Sequence, residues 1–371
     1  MTKTASSRPT ASKSKATDTA QQPDHTGAAL SPWMEQQAVH LLQQRGHAWL
    51  LQGPSGLGQQ ALGMALARAW LCEQPQPNGL GCGHCTSCHA INVHTHADLC
   101  VLMPETLLLA QGWSLSEKAQ KDIDDKKRKP SKEIRVDAMR EAIEFAQRTS
   151  SRGRGKAILI YPAERMNAVT ANALLKTLEE PAGDIKLVLA SDAAHQLLPT
   201  IRSRCISHTM RWPDTSAATN WLLQQGLSAD DASTLLMAAG GRPDDALALA
   251  EQGINAQLWQ QLPRAALQGQ LQPFASFTPA QAIVALQKVC HDLQASKAGS
   301  APRFFAASSL PPTTHITNWA ALTAWYKELA QATRTSEHPY TPGLFLEDLL
   351  AQAAHFLQHP ASSAQQHTQT R

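Results

Sequence analysis

The sequence predicts an α/β domain, a parallel sheet with flanking helices, followed by a run of helices. Three observations predict it. The apolar run Ala48-Trp49-Leu50-Leu51 leads into Gly53-Pro54-Ser55-Gly56-Leu57-Gly58-Gln59-Gln60 and then into a helical pattern over 61–69. That is strand, glycine loop, helix, the context of a phosphate-binding P-loop. Two further apolar runs bounded by turn residues, 157–161 and 187–190, read as fully buried strands. From about 256 to 359 helical patterns recur, over 280–295, 317–334 and 342–357.

Taken in order, residues 1–27 are rich in Ser, Thr, Lys and Gln and carry no apolar segment of the secretory kind. They read as a disordered tail, made mildly basic by Lys3, Arg8, Lys13 and Lys15; a transit peptide is the alternative. Residues 361–371 look like a second tail. A length of 371 residues with 43% hydrophobic content suggests two or three ordinary domains. The net charge of +3 does not announce a nucleic-acid binder, so only local patches could serve. No apolar run approaches membrane-spanning length. Ser31-Pro32-Trp33 reads as a helix start, N-cap then proline in the first turn, with the helix running to about 44. The strand at about 48–52 and the glycine loop follow.

Glycines in such a loop let backbone N–H groups turn inward around phosphate oxygens, and the helix N-terminus adds partial positive charge. Here, however, Gln59 stands where a lysine would reach the β- and γ-phosphates, and Gln60 stands where a hydroxyl would hold magnesium. The loop shape survives and its chemistry is removed. A spare glycine turn is the plain alternative.

Cys72, at the end of the P-loop helix, precedes Cys82-Gly83-His84-Cys85-Thr86-Ser87-Cys88. Three thiols spaced C-x-x-C-x-x-C plus one ten residues earlier can supply four ligands to tetrahedral zinc. Gly79, Gly81 and Gly83 allow the turns this needs. An iron–sulfur cluster is the rival, and His84, His89, His94 or His96 could replace one thiol. Seven cysteines, four of them clustered, suit metal binding in a reducing compartment better than a disulfide framework.

A short strand, Leu99-Cys100-Val101-Leu102, precedes a long polar stretch over 105–132. Mixed charges at the density found over 117–132 mean a solvated loop or exposed helix, with a nucleic-acid patch as second choice. A helix then begins near 134–137 and runs to about 149. Ser151-Arg152-Gly153-Arg154-Gly155-Lys156 is a basic turn before the buried strand 157–161. In an active P-loop NTPase that strand ends in an acid that holds magnesium. Here it ends Tyr161-Pro162, with Glu164 past the strand end. The amphipathic helix Asn172-Ala173-Leu174-Leu175-Lys176-Thr177-Leu178-Glu179-Glu180-Pro181 is closed by its proline. After the strand at 187–190, Leu197-Leu198-Pro199-Thr200-Ile201-Arg202-Ser203-Arg204-Cys205 ends the region.

N-A-L-L-K-T-L-E-E-P at 172–181 and R-S-R-C at 202–205 resemble the clamp-loader branch of the AAA+ ATPases. The four-cysteine insertion resembles the bacterial branch, where it holds zinc. The motifs run from about Leu50 to Cys205; beyond them the likeness rests on Gly240-Gly241-Arg242-Pro243-Asp244-Asp245-Ala246-Leu247. That segment resembles the family's second-sensor helix, with Asp244 where ATPase members carry arginine. The resemblance implies an AAA+ P-loop-like domain over 28–211 with a zinc module at 72–88, a small helical lid over 212–255 and an all-α collar over 256–360. The last helix offers a stripe of Leu346, Leu349, Leu350, Ala353 and Leu357, widened by Phe345 and Phe356, suited to a collar, although a plain monomer helix would show a similar stripe.

A degenerate loop, a strand without acid and an intact Ser-Arg-Cys together imply a subunit of the DNA polymerase III clamp loader that does not hydrolyse ATP, helping to load the sliding clamp on primed DNA in the cytoplasm. Its implied partners are the tau/gamma and delta subunits, the sliding clamp and primed DNA, with no membrane. Zn2+ bound by Cys72, Cys82, Cys85 and Cys88 is the expected structural cofactor, and Gly53, Gly56, Gly58, Gln59 and Gln60 are not expected to bind ATP. No activity of its own is expected, only membership of a nucleotidyltransferase holoenzyme. Arg204 is the candidate arginine finger, acting in trans on a neighbour's γ-phosphate; the alternative is that it only pairs a local carboxylate. Lys176 and Glu179 either help position that boundary or are ordinary surface charges. Arg152 and Arg154 are candidate DNA-phosphate contacts, with a solvated turn as the plain reading. The charged insertion at 105–133 is not expected of the family. An active tau/gamma-like ATPase is the main rival, opposed by Gln59, Gln60 and Pro162. A zinc-dependent nucleic-acid module would need basic and aromatic residues around Cys82–Cys88, where only His84 stands.

Overall fold

The computed structural model describes residues 30–312, 319–335 and 341–358; the two expected tails lie outside the described residues. The first half alternates strand and helix: α1 (Pro32–Leu42), β1 (Ala48–Gln52), α2 (Gln59–Leu71), α3 (Thr86–Asn92), β2 (Leu99–Leu102), α4 (Glu105–Ala110), α5 (Glu117–Asp124), α6 (Val136–Gln147), β3 (Lys156–Ile160), α7 (Ala168–Glu179), β4 (Ile185–Ser191), α8 (Pro199–Arg202) and β5 (Ile206–Thr209). The strands form one sheet in the order β2-β3-β4-β1-β5, all neighbours parallel. Such a sheet is covered on both faces, which is why β1, β3 and β4 are nearly continuous apolar runs. In register, Leu50 sits beside Leu189 and Ile158 beside Leu187. One face packs on α6 and α7 through Met139, Ala142, Leu174 and Leu178. The other packs on α1 and α2 through Leu41, Leu62 and Leu66. Gly63 is what lets α2 lie flat on the sheet: a Cβ there would stand 2.6 Å from Leu159 Cδ1.

Three segments differ from the sequence expectation. The helix expected from 172 begins at Ala168, because Asn167 caps it by accepting from Thr170 N at 3.0 Å. β5 pairs with β1 although three of its four residues, Ile-Ser-His-Thr, are polar. Of its four residues only His208 is buried, so this edge strand carries no apolar run. Finally, the polar stretch at 105–132 opens with a buried acid. Glu105 is held by both terminal nitrogens of Arg128 (Nη2–Oε1 2.7 Å) and accepts from Ser131 N at 2.8 Å. This charge-assisted fork ties the end of the insertion to its start. Within it, α5 has no buried residue.

The second half is helical: α9 (Thr215–Gln224), α10 (Ala229–Ala238), α11 (Pro243–Glu251), α12 (Ala256–Gln268), α13 (Pro279–Lys297), α14 (Trp319–Thr335) and α15 (Pro342–Gln358). One apolar core runs through them, from Leu222 and Leu235 to Trp259, Leu286, Trp325 and Leu350. The stripe Leu346, Leu349, Leu350, Ala353, Leu357 of α15 is buried in that core. Trp259 stacks on Phe305 at 5.0 Å between centroids. The loop carrying Phe305 is fixed by Asp292, fully buried, whose carboxylate accepts from the backbone N–H groups of Arg303, Phe304 and Phe305.

Candidate functional site

β1 delivers the chain to the glycine loop at the carboxyl edge of the sheet, where α/β proteins bind ligands. Gly53 N is tied to Ser191 O at the end of β4. Gly56 and Gly58 take φ of 78° and 82°, which the turn requires and side chains resist. The loop is therefore shaped as a P-loop, and three sets of groups from this same chain fill its surroundings.

The first is Gln59. Its side chain is buried and its amide donates to Gly53 O and Pro54 O, both at 2.8 Å. It braces the loop from within and brings no charge. The second is Gln60, whose amide forms a reciprocal pair with Gln111, just past α4: Gln60 Nε2 donates to Gln111 Oε1 at 2.6 Å, and Gln111 Nε2 donates back at 3.1 Å. The charged insertion thus covers the position from which magnesium would be held. The third comes from the start of α11. A Cβ on Gly56 would collide with the carboxylate of Asp245, and one on Gly58 would lie 3.1 Å from Asp244 Oδ2. Arg242 fastens this contact, its Nε 2.9 Å from Asp245 Oδ2 and its Nη1 donating to Ser55 O at 3.3 Å.

The end of β3 is acidic as well. Glu164 accepts from Ser191 Oγ at 2.7 Å and from Asp192 N at 3.2 Å, and Tyr161 Oη donates to Asp192 Oδ2 at 3.3 Å. Burial, then the neighbouring Glu164 charge, push the Asp192 carboxyl up to about 6. Burial, then Asp192, push the Tyr161 phenol up too.

The four cysteines converge. Their Sγ atoms all lie within 4.8 Å of one another, with Cys72–Cys85 at 3.8 Å and Cys82–Cys88 at 4.0 Å. Tetrahedral Zn–S bonds of about 2.3 Å put sulfurs roughly 3.8 Å apart, so the donor set fits such an ion. Backbone N–H groups point at the sulfurs: Cys82 N to Cys72 Sγ at 3.2 Å, Cys85 N to Cys82 Sγ at 3.3 Å and Cys88 N to Cys85 Sγ at 3.4 Å. The four could hold a metal ion. None of the four histidines is among the donors.

The basic turn is bound to this module. Arg152 Nη1 reaches Glu73 Oε1 at 2.6 Å and Thr86 Oγ1 at 2.8 Å. Its backbone is held by the fully buried Asp98, which accepts from Ser151 N (2.8 Å), Arg152 N (3.0 Å), Ser150 Oγ (3.1 Å) and Lys156 Nζ (3.3 Å). Arg152 is thus spoken for within the chain, whereas Arg154 is exposed at the tip. Glu73 was the partner that sequence reading missed, although it adjoins Cys72.

Arg204 lies two residues past the end of α8. Its Nε donates to Glu179 Oε1 at 2.7 Å, its Nη2 pairs with the same oxygen, and its Nη1 donates to Thr200 O at 2.9 Å. Within one chain the candidate finger pairs a local carboxylate. Lys176, one turn earlier on α7, is exposed. Gln111 and Asp245, which close the glycine loop, were not singled out from sequence; no local pattern marks a contact made across 51 residues or more.

Among known proteins, a family model described as DNA polymerase III, delta subunit, matches residues 35–213. The chain is 38% identical over 216 residues to DNA polymerase III subunit delta' of Pseudomonas aeruginosa, covering 58% of each protein. It is 35% identical over 215 residues to the Escherichia coli protein of the same name, covering 58% of this chain and 56% of that one. DNA polymerase III subunit tau of Salmonella typhimurium is 28% identical over 237 residues, covering 62% of this chain and 32% of that protein. The matched stretch spans less than two thirds of the length of each of these relatives.

Proposed function

We propose, for a chain whose residues 35–213 match the DNA polymerase III delta-subunit family model, that it is a delta'-type clamp-loader subunit that neither binds nor hydrolyses ATP. It would act beside tau/gamma and delta subunits, helping to open the sliding clamp and load it on primed DNA. Arg204 would supply an arginine finger to the neighbouring ATPase subunit. Zn2+ on Cys72, Cys82, Cys85 and Cys88 would be structural, since four thiolates leave no open position for water. Residues 212–255 would be the lid and 256–360 the collar, and the exposed Arg154 is the better placed of the two turn arginines for a DNA phosphate.

One observation carries the reading: the glycine loop is filled by this chain's own Gln59, Gln60–Gln111 and Asp244–Asp245. A lysine charge on the phosphates is replaced by a neutral amide, and the carboxylates of Asp244 and Asp245 crowd the loop glycines. Like unit charges about 4 Å apart cost roughly 4 kcal/mol near a protein surface, nearly a thousandfold in affinity. Arg242 offsets part of this through its pair with Asp245. The tau/gamma-like alternative has the tau match in its favour, at lower identity, and needs nucleotide chemistry from a loop with no lysine at 59 and no hydroxyl at 60.

The test is calorimetry of the purified chain with Mg2+–ATP, together with co-purification alongside tau/gamma and delta subunits. The expected result is no binding up to millimolar nucleotide and stable co-elution. Micromolar affinity with turnover would overturn the non-hydrolysing reading; failure to co-elute would overturn the clamp-loader one.

A further inference from the structure

We infer that Glu179 is a parking partner for Arg204, holding the guanidinium on its own chain until a neighbour's nucleotide phosphate draws it across. This rests on the reading of Arg204 as a finger. The last turn of α7 carries Glu179, and the four-residue α8 returns the chain so that Arg204 faces it. Every nitrogen of the guanidinium is engaged inside the chain: Nε and Nη2 by Glu179 Oε1, Nη1 by Thr200 O at 2.9 Å and by Ser203 Oγ at 3.4 Å. The arrangement is ordered, yet it lies at the surface, with the Arg204 side chain 33% and the Glu179 side chain 48% exposed.

That exposure decides what the pair can do. Ion pairs open to water contribute little, because solvent screens them and two long side chains must be ordered. Phosphate binds a guanidinium through two parallel, charge-assisted hydrogen bonds, which are stronger. Glu179 therefore cannot lock Arg204 away from a neighbour's γ-phosphate; it can only compete with it. Such a competitor keeps the side chain extended toward one side of α7 and sets how much nucleotide is needed to recruit it. Glu179 is a positioning residue, and its effect belongs in the apparent KM for ATP, not in turnover at saturation.

The experiment uses the complex reconstituted with its ATPase subunits, with assembly verified by co-elution. Glu179→Gln keeps shape and removes charge. The expected result is an apparent KM for ATP lowered about two- to fivefold, the span of an exposed pair, with kcat within twofold of wild type. Arg204→Ala should slow turnover, and the double variant should behave as Arg204→Ala alone. If Arg204→Ala slows turnover while Glu179→Gln leaves KM at the wild-type value, parking is overturned and the finger stands. If Glu179→Gln slows turnover as Arg204→Ala does, Glu179 is needed at the boundary and parking is again overturned. If Arg204→Ala changes nothing, the finger falls, and the inference with it. Should Glu179→Gln disturb co-elution, Glu179→Ala carries the same comparison.

Discussion

At the scale of single residues, two acids, one buried and one half-buried, lead opposite lives. Asp98 is fully enclosed but satisfied by four donors, one of them the buried Lys156 ammonium. Asp98→Ala would strand that ammonium and two backbone N–H groups. Breaking a buried pair costs about 3–5 kcal/mol, so a fall of that order in urea-unfolding free energy is expected. Asp192 instead sits against Glu164 with its carboxyl raised to about 6. Its folded pKa lies above its unfolded value, so folding takes up a proton and this residue's contribution grows more favourable as pH falls from about 6 toward 4. Asp192→Asn should therefore raise the melting temperature at pH 7.5, and the gain should vanish by pH 4. A gain that does not change with pH would contradict this. Neither environment was legible in the sequence. Asp98 and Asp192 both stand beside short apolar strands and look alike there; what separates them is the backbone that folds over one and the carboxylate that folds over the other.

Among the elements, the cysteine module and the basic turn form one unit. Glu73 adjoins Cys72, Thr86 and Ser87 lie between Cys85 and Cys88, and Arg152 contacts all three from across the fold. Cys85→Ser should lower bound zinc, measured by elemental analysis, and loosen residues 150–156, measured by faster amide exchange there than in β1. A loss of even 2 kcal/mol would lower the melting temperature by about 4–8 °C in a domain of this size. Unchanged exchange in 150–156 on metal loss would show the two elements to be independent. The cysteines were readable because their chemistry is local and their spacing short. α2, β1, β3 and β4 were readable because a continuous apolar run beside turn residues has few other uses. β5 was not, because only His208 of its four residues is buried and it spells no such run. The early start of α7 was missed because its cap, Asn167, precedes the amphipathic stretch that signals the helix.

For the molecule as a whole, the proposed lid over 212–255 and collar over 256–360 share apolar surface. Leu222 and Leu235 belong to the same apolar cluster as Trp259, Leu286 and Leu350. The boundary near 255 rests on the family resemblance, which does not report which faces meet. A chain cut after residue 255 would expose that shared surface. Burial is worth about 25 cal/mol per Å2 of apolar area, so this fragment is expected to aggregate or lose cooperative melting. A fragment that elutes as a monomer with a sharp thermal transition would show that the lid folds without this shared surface.

The amide pair between Gln60 and Gln111 bears on how the loop could be altered as much as on its chemistry. Reinstating Gln59→Lys and Gln60→Thr would rebuild the lettering of a P-loop, but Gln111 would lose its partner and still lie over the metal side, and Asp245 would still press on Gly56. Neither substitution alone would clear these contacts. Gln111 and Asp245 make the loop a composite of three segments, so a change confined to the loop is expected to leave it without nucleotide binding.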